Sequence, residues 1–228
     1  MKIWHISDTH CLHEQLTVPS DIDVVVHSGD ASSTGDPFKN ISQLRNFLQW
    51  FSGLPIKHKI FSPGNHDLSL QRNFVTREEI EEAGINLLLE SGLTIDGVNF
   101  WGSPWVPRYG DWAWMVDRSK LDKKWSYIPD DTNVLVTHGP PFSCLDATYN
   151  FENYIELVGC KALQKRVKTL NLDAHLFGHI HSCKDIRNNG TRTMHGLKTV
   201  FSNGTCCDDG KMGVVASSGN IIYLNKES

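Results

Sequence analysis

The sequence predicts an α/β fold in which two packed β-sheets are flanked by helices. Three observations lead there. Short apolar runs end repeatedly in polar segments that carry an aspartate or a histidine, helical periodicity fills the gaps between the first of these runs, and the later part of the chain strings together many short β-branched stretches. With 228 residues, 39% of them apolar, the chain is long enough for one well-buried core, and a single domain over residues 1–228 is expected.

Residues 2–7 and 23–28 are apolar or β-branched runs that read as two central parallel strands, with their C-terminal ends facing one site. Between residues 36 and 52, Ile41, Leu44, Phe47, Leu48 and Phe51 recur at helical spacing and Pro37 suits a first turn, which predicts a crossover helix. Residues 59–61 read as a third strand and 77–83 as a second helix closed by Gly84. Further strands are predicted over 85–89, 93–95, 98–101, 134–137, 174–177, 199–203, 213–217 and 221–224, with a helix over 160–170. Residues 103–131 form one long irregular stretch containing Trp105, Trp112, Trp114 and Trp125, and a loop of that length is often functional.

A formal charge of -4 and a pI of about 6.2 give no pull toward nucleic acid or an anionic membrane. The first residues run straight into a strand pattern without an apolar signal core, and no apolar stretch approaches the roughly 18 residues that span a bilayer. A soluble, cytoplasmic protein is expected. Six cysteines occur without a C-x-x-C pair, so neither a zinc ribbon nor a dithiol redox site is supported.

The chemistry is concentrated at the ends of the predicted strands. Asp8-Thr9-His10 offers a carboxylate and an imidazole two residues apart where the chain leaves the first strand. Ser28-Gly29-Asp30 ends the second with another carboxylate able to bridge two cations, beside a glycine that lets the backbone bend. Gly64-Asn65-His66-Asp67 follows the third and supplies an amide oxygen and a histidine free to face a substrate. His138 follows residues 134–137, and Gly178-His179-Ile180-His181 follows residues 174–177. Each motif alone has an ordinary reading as a capping aspartate, a turn asparagine or a backbone-satisfied histidine. Five in succession, rich in oxygen and imidazole and free of cysteine, suit Mn, Fe, Zn or Ni.

The order D-x-H, G-D, G-N-H-D, T-H-G and G-H-x-H resembles the calcineurin-like metallophosphoesterase superfamily, and the motifs span Asp8 to His181. The resemblance implies a four-layer αββα sandwich of two mixed sheets with metals at the C-terminal ends of the central strands. It assigns Asp8, His10 and His181 to one of two divalent transition-metal ions, Mn foremost, and Asn65, His138 and His179 to the other, with Asp30 bridging. It also implies that ions about 3.5–4 Å apart activate water for in-line attack on phosphorus, while His66 stabilises or protonates the leaving oxygen.

Gly102-Ser103-Pro104-Trp105, Thr137-His138-Gly139-Pro140-Pro141 and Val158-Gly159-Cys160 narrow the resemblance to the MPPED-type branch, which looks like cyclic-nucleotide phosphodiesterases. Some animal members lack the first histidine of G-H-x-H, whereas His179 is present here. The protein phosphatases carry G-D-x-x-D-R-G, but this chain has Gly29-Asp30-Ala31-Ser32-Ser33-Thr34-Gly35, without the phosphate-binding arginine and with Ser33 in place of the aspartate that orients the catalytic histidine. Asp67 is then a candidate to position His66.

A small phosphoester, such as a cyclic nucleotide, is therefore the expected substrate, with Asn65, His66 and Trp105 contacting it. Trp105 or Tyr109 could stack on a base for roughly 1–3 kcal/mol, with core packing the rival reading, for Trp105 above all. His5, His13, His27, His58, His175 and His195 read as structural or solvated. Competing readings are a nuclease, a protein phosphatase, or an interaction scaffold on a dead enzyme fold; the acidic balance, the missing arginine and the intact ligand set respectively count against them.

Overall fold

The computed structural model describes residues 1–208 and 214–224. Its first sheet runs in the order Asn220–Tyr223, Lys2–Ile6, Val24–His27, His58–Phe61, Asn86–Leu87, antiparallel at the first pairing and parallel at the others. The second runs Gly190–Thr193, Val200–Asn203, Ala174–Phe177, Val134–Thr137, Val98–Ser103, Ser91–Ile95, with parallel pairings at its centre and antiparallel ones at both edges.

The alternation of side chains along each strand decides the layering. Ile3, Val24, Val26 and Ile60 of the first sheet meet Phe100, Val134, Val136, Ala174 and Leu176 of the second in one buried cluster. The opposite faces of the same strands, through Trp4, Ile6, Val25 and Phe61, pack against Leu44, Phe47 and Phe51 of the helix Pro37–Ser52. Leu135, Phe177 and Phe201 pack outward on Leu121 and Trp125 of the helix Leu121–Trp125 and on Leu163 and Val167 of Lys161–Val167. Both faces of each sheet are thus covered, which is why the strands read as largely apolar runs. The result is helix, sheet, sheet, helix. Each buried Val, Leu, Ile or Phe among them contributes about 1.5–3 kcal/mol.

The helix Pro37–Ser52 starts where predicted because Asp36 accepts from the N–H groups of Phe38 and Lys39, both at 3.0 Å, with Pro37 at the first position. The strands end in step: Ile6 lies opposite His27, and His27 opposite Phe61. Residues 204–206 then clasp the two sheets at this end, since Ser7 N–H donates to Gly204 O (2.8 Å), Cys206 N–H to Ser7 O (2.9 Å) and Gly204 N–H to Phe177 O (2.8 Å).

Several expectations change. The strand expected over 85–89 shortens to Asn86–Leu87. Of the one expected over 213–217, Gly213 lies outside the described residues, and Val215 makes only an isolated bridge to Cys207. The stretch 103–131 is not irregular throughout: Val106–Pro107 pairs with Met115–Val116, and the helix Leu121–Trp125 follows. The exposed hairpin Ala147–Tyr149/Ile155–Leu157 and the edge strand Gly190–Thr193 carry no apolar run long enough to announce them. Among the described residues, no helix is long and apolar enough to cross a membrane.

Candidate metal centre

The loops at the C-terminal strand ends are zipped to one another. Asp8 N–H donates to Gly29 O (2.8 Å), His10 N–H to Asp30 O (3.1 Å) and Cys11 N–H to Ala31 O (3.0 Å). The pairing holds Asp8, His10 and Asp30 at φ values of 52°, 42° and 59°, and His179 stands at 70°. A non-glycine residue in this left-handed region costs of order 1–3 kcal/mol, and such strain gathers at functional sites. Two glycines make the approach possible. Gly29 sits at φ 111°, and a Cβ on Gly178 would collide with the Asp8 carboxylate and the Ser7 hydroxyl.

Two groups of side chains converge there, their ligand atoms within 4.8 Å of one another in each: Asp8, His10 and His181, and Asp30, His138 and His179. Asn65 joins the second group, its Oδ1 lying 2.9 Å from His138 Nε2. His66 lies at the edge, with Nε2 4.0 Å from Asp30 Oδ2.

One loop sets the orientation of three of the rings. The carbonyls of Ser28, Ser32 and Ser33 face the Nδ1 atoms of His138 (2.9 Å), His10 (2.9 Å) and His66 (3.1 Å). A carbonyl only accepts, so each Nδ1 carries the hydrogen and each Nε2 is turned toward the centre, the arrangement that second-shell bonds impose on metal-binding histidines. The orientation of His66 therefore comes from the backbone of Ser33, not from a side chain. Asp67, expected to help, is instead buried beneath the loops, where its carboxylate accepts from the N–H groups of Asp30 (3.0 Å), Ser32 (3.1 Å) and Gly64 (2.8 Å). Burial and the nearby Asp30 raise its pKa to about 6. Asn40, on the helix Pro37–Ser52, was not singled out by its sequence context. It is fully buried, donates to the carbonyls of Thr34 (2.8 Å) and His66 (2.7 Å) and accepts from Ser69 N–H (2.9 Å).

The electrostatics test whether cations fit. His138 faces two acceptors with Nε2: Asn65 Oδ1, and Asp30 Oδ2 at 3.3 Å. Lone pairs pointed at one spot are stable only around a positive centre, either a proton on Nε2 or a cation. Burial opposes the charged ring, but Asp30 and Asp8 outweigh it and lift His138 to about 9. The same attraction holds Asp30 well below the usual carboxylate range despite burial, and His181 does so for Asp8. Two buried carboxylates, an amide oxygen and four imidazoles, with no thiolate among them, fit two divalent transition-metal ions. The neighbouring Cys207 thiol is pushed up to about 12 by burial and by Asp8, so it stays protonated.

The groups open into a cavity of about 490 Å³, a size suited to a small molecule, lined by His10, Asp30, Asn65, His66, Tyr109 and Trp112 among others. Trp105 does not line it. Its ring packs edge-on against Trp114 and carries Lys124 Nζ 3.8 Å above its centroid, so the substrate contact expected of it is corrected to packing. Trp112 instead lies against His66, ring centroids 4.2 Å apart, and Tyr109 beside His179 at 5.5 Å. Which aromatics of a loop face a site depends on how the loop is tied down, and sequence spacing did not separate Trp105 from Trp112.

The family model described as calcineurin-like phosphoesterase matches residues 1–183. The chain is 32% identical over 241 residues to the UPF0046 protein K07C11.7 of Caenorhabditis elegans, covering 100% of this chain and 77% of that protein. It is 30% identical over 212 residues to metallophosphoesterase domain-containing protein 1 of Homo sapiens, covering 82% of this chain and 63% of that one. The chain thus spans less than two thirds of the human relative's length. A solved crystal structure shares the fold, with a TM-score of 0.64 at 14% identity and 89% of each chain covered.

Proposed function

This chain belongs to the calcineurin-like phosphoesterase family, and from that premise we propose that it hydrolyses phosphoester bonds in small nucleotide-like molecules, cyclic nucleotides among them, at a centre of two divalent transition-metal ions, Mn foremost. The observation that carries this reading is the convergence of two ligand groups with His66 at the mouth of one small cavity. Asp8, His10 and His181 would hold one ion, Asn65, His138 and His179 the other, and Asp30 both. Once bound, the pair supplies Lewis-acid polarisation of the phosphoryl group and water made nucleophilic at neutral pH.

The chain's own residues do the rest. The loops fix the ligands before substrate arrives, so no reorganisation is required at the moment of reaction. His66, anchored through Nδ1 to Ser33 O, presents Nε2 to the cavity and gives a proton to the departing oxygen. Among the described residues that line the cavity there is no Lys or Arg. A phosphodiester, with one negative charge at phosphorus, asks for less compensation there than a dianionic monoester, and this favours diesters.

The test is a substrate panel on Mn-reconstituted protein: bis-p-nitrophenyl phosphate, p-nitrophenyl phosphate, 2',3'- and 3',5'-cyclic nucleotides, single-stranded DNA and a phosphopeptide. Diesters should give the highest kcat/KM, metal analysis should find close to two ions, and chelation should abolish turnover. A phosphopeptide as best substrate, or hydrolysis that survives exhaustive chelation, refutes the proposal.

A further inference from the structure

The loop Arg108–Trp112 is built to hold a shape. Val106 N–H donates to Trp114 O (3.1 Å) and Arg108 N–H to Val116 O (3.0 Å), closing its base. The Arg108 guanidinium turns back into it, donating to Gly110 O (3.4 Å), Met115 O (3.2 Å) and Asp117 Oδ1 (3.1 Å). Ala113 N–H donates to Asn65 O (3.1 Å), which ties the loop to a segment carrying a ligand of the centre. Asn65 Nδ2 also donates to the Tyr109 hydroxyl at 3.3 Å.

What this scaffold presents is aromatic. Trp112 covers His66 on one side of the cavity, while Tyr109 lines it beside His179 with 62% of its surface exposed. The other tryptophans of the stretch have packing to explain them: Trp125 and Trp114 are buried, and Trp105 lies between Trp114 and Lys124. Trp112 is half-buried against the core, whereas Tyr109 stands mostly exposed on the cavity wall, on a loop held by five hydrogen bonds from the Arg108 and Ala113 groups. Rigid aromatics with few rotatable bonds are what recognition surfaces use, because ordering them on binding costs little.

We infer that Tyr109 is a specificity-determining residue: its ring, on the cavity wall beside His179, seats a flat aromatic substituent of the phosphoester, a nucleobase, and Arg108 holds the loop that places it. The inference rests on the phosphoesterase reading and adds to it the part of the substrate that lies away from phosphorus. The seat reads a π-face, which every base has, so it selects nucleotides over sugar phosphates without choosing among bases.

The test is calorimetric binding to the Mn-loaded protein of three ligands that share the phosphoryl group: AMP, ribose 5-phosphate and inorganic phosphate. AMP should bind about 5- to 150-fold more tightly than ribose 5-phosphate, the range that base–aromatic stacking gives. Tyr109→Ala should bring that ratio close to one, whereas Tyr109→Phe, which loses the bond from Asn65 and keeps the ring, should retain it. Melting temperatures of both variants within a few degrees of the parent establish that they fold, as expected for a residue this exposed. A ratio near one in the parent protein, or an unchanged ratio in Tyr109→Ala, overturns the seat while leaving the phosphoesterase reading intact. Failure of all three ligands to bind overturns both.

Discussion

His175 and His138 stand on and just beyond neighbouring strands, both fully buried, and their pKa values move in opposite directions. His175 is driven down to about 3 by desolvation; its Nε2 meets the Thr137 hydroxyl at 2.9 Å, and that hydroxyl in turn donates to Gly139 O. His138 is lifted to about 9, because the Asp30 carboxylate lies 3.3 Å from its Nε2. His27 and His5 behave as His175 does, both driven to about 3 by burial. His27 accepts from Gly29 N–H (3.2 Å) at Nδ1, so Nε2–H donates to Thr9 Oγ1 (3.0 Å); it thereby joins two ligand loops from below. The protein thus has two tiers of histidine. The tier within the strands is neutral and bonded to neutral partners, with His175 Nδ1 making no hydrogen bond among the described residues; the tier past the strand ends faces carboxylates, which lift His138 although burial still drives His179 to about 3. For His175 and His138 the partner, a hydroxyl or a carboxylate, decides whether burial or attraction wins.

The strongest attempt to collapse the two tiers is Asp30→Asn. It removes the charge that distinguishes His138 from His175, and metal content should fall below two ions with turnover down at least about 10³-fold, since several kcal/mol of transition-state stabilisation go with a lost cation. Metal analysis and kinetics on the same preparation decide it, and a fully active two-metal variant would break the comparison. His66→Ala should keep both ions and lose about 10²–10⁴-fold, with the deficit shrinking for a good leaving group such as p-nitrophenolate. An equal loss across leaving groups would remove the proton-donor role.

His27→Ala probes the lower tier. The ring packs against Phe47 at 4.6 Å and its loss should cost about 2–4 kcal/mol of stability, read from denaturant unfolding, while the folded fraction still binds metal. The smallest effect per residue is on pH dependence. His5, His27 and His175 stay neutral in the folded state to about pH 3 but take up a proton in the unfolded chain below about 6.5. The stability they confer is complete above 6.5 and declines as pH falls toward 3, by up to about 2 kcal/mol each at pH 5. Replacing any one of them with Gln should flatten the acid limb of a stability–pH curve, and an unchanged limb would show that the rings titrate normally.

Much of this architecture was legible because strands covered on both faces are largely apolar, and the runs Lys2–Ile6, Val24–His27, His58–Phe61, Val134–Thr137 and Ala174–Phe177 are each followed by residues able to bind a cation. The candidate ligands Asp8, His10, Asp30, Asn65, His138, His179 and His181, which the fold brings together, were read from that pattern and from the family resemblance. What holds them could not be. Ser33 orients His66 through its carbonyl, a group every residue possesses, so the substitution that made the orientation look deficient removes a side chain whose task the backbone performs. Asp67 and Asn40 likewise act on backbone groups brought near only by the fold. Trp105 and Trp112 could not be told apart because the pairing of Val106–Pro107 with Met115–Val116, two residues on each side, is too short to leave a periodic signal.

The clasp at residues 204–206 bears on the order in which the site can be made. As the chain leaves the ribosome, every ligand of the centre has been synthesised by His181, yet the backbone groups that fix Ser7, and through it Asp8, belong to Gly204 and Cys206. At roughly 5–20 residues per second these arrive a few seconds later. A nascent chain ending at residue 183, the last that the family model matches, holds a full complement of ligands and lacks the strap that brings the first sheet's edge to the second. The two candidate ligand groups are thus complete in sequence before the strap that fixes the first of them is made, and that strap contributes no member to either group.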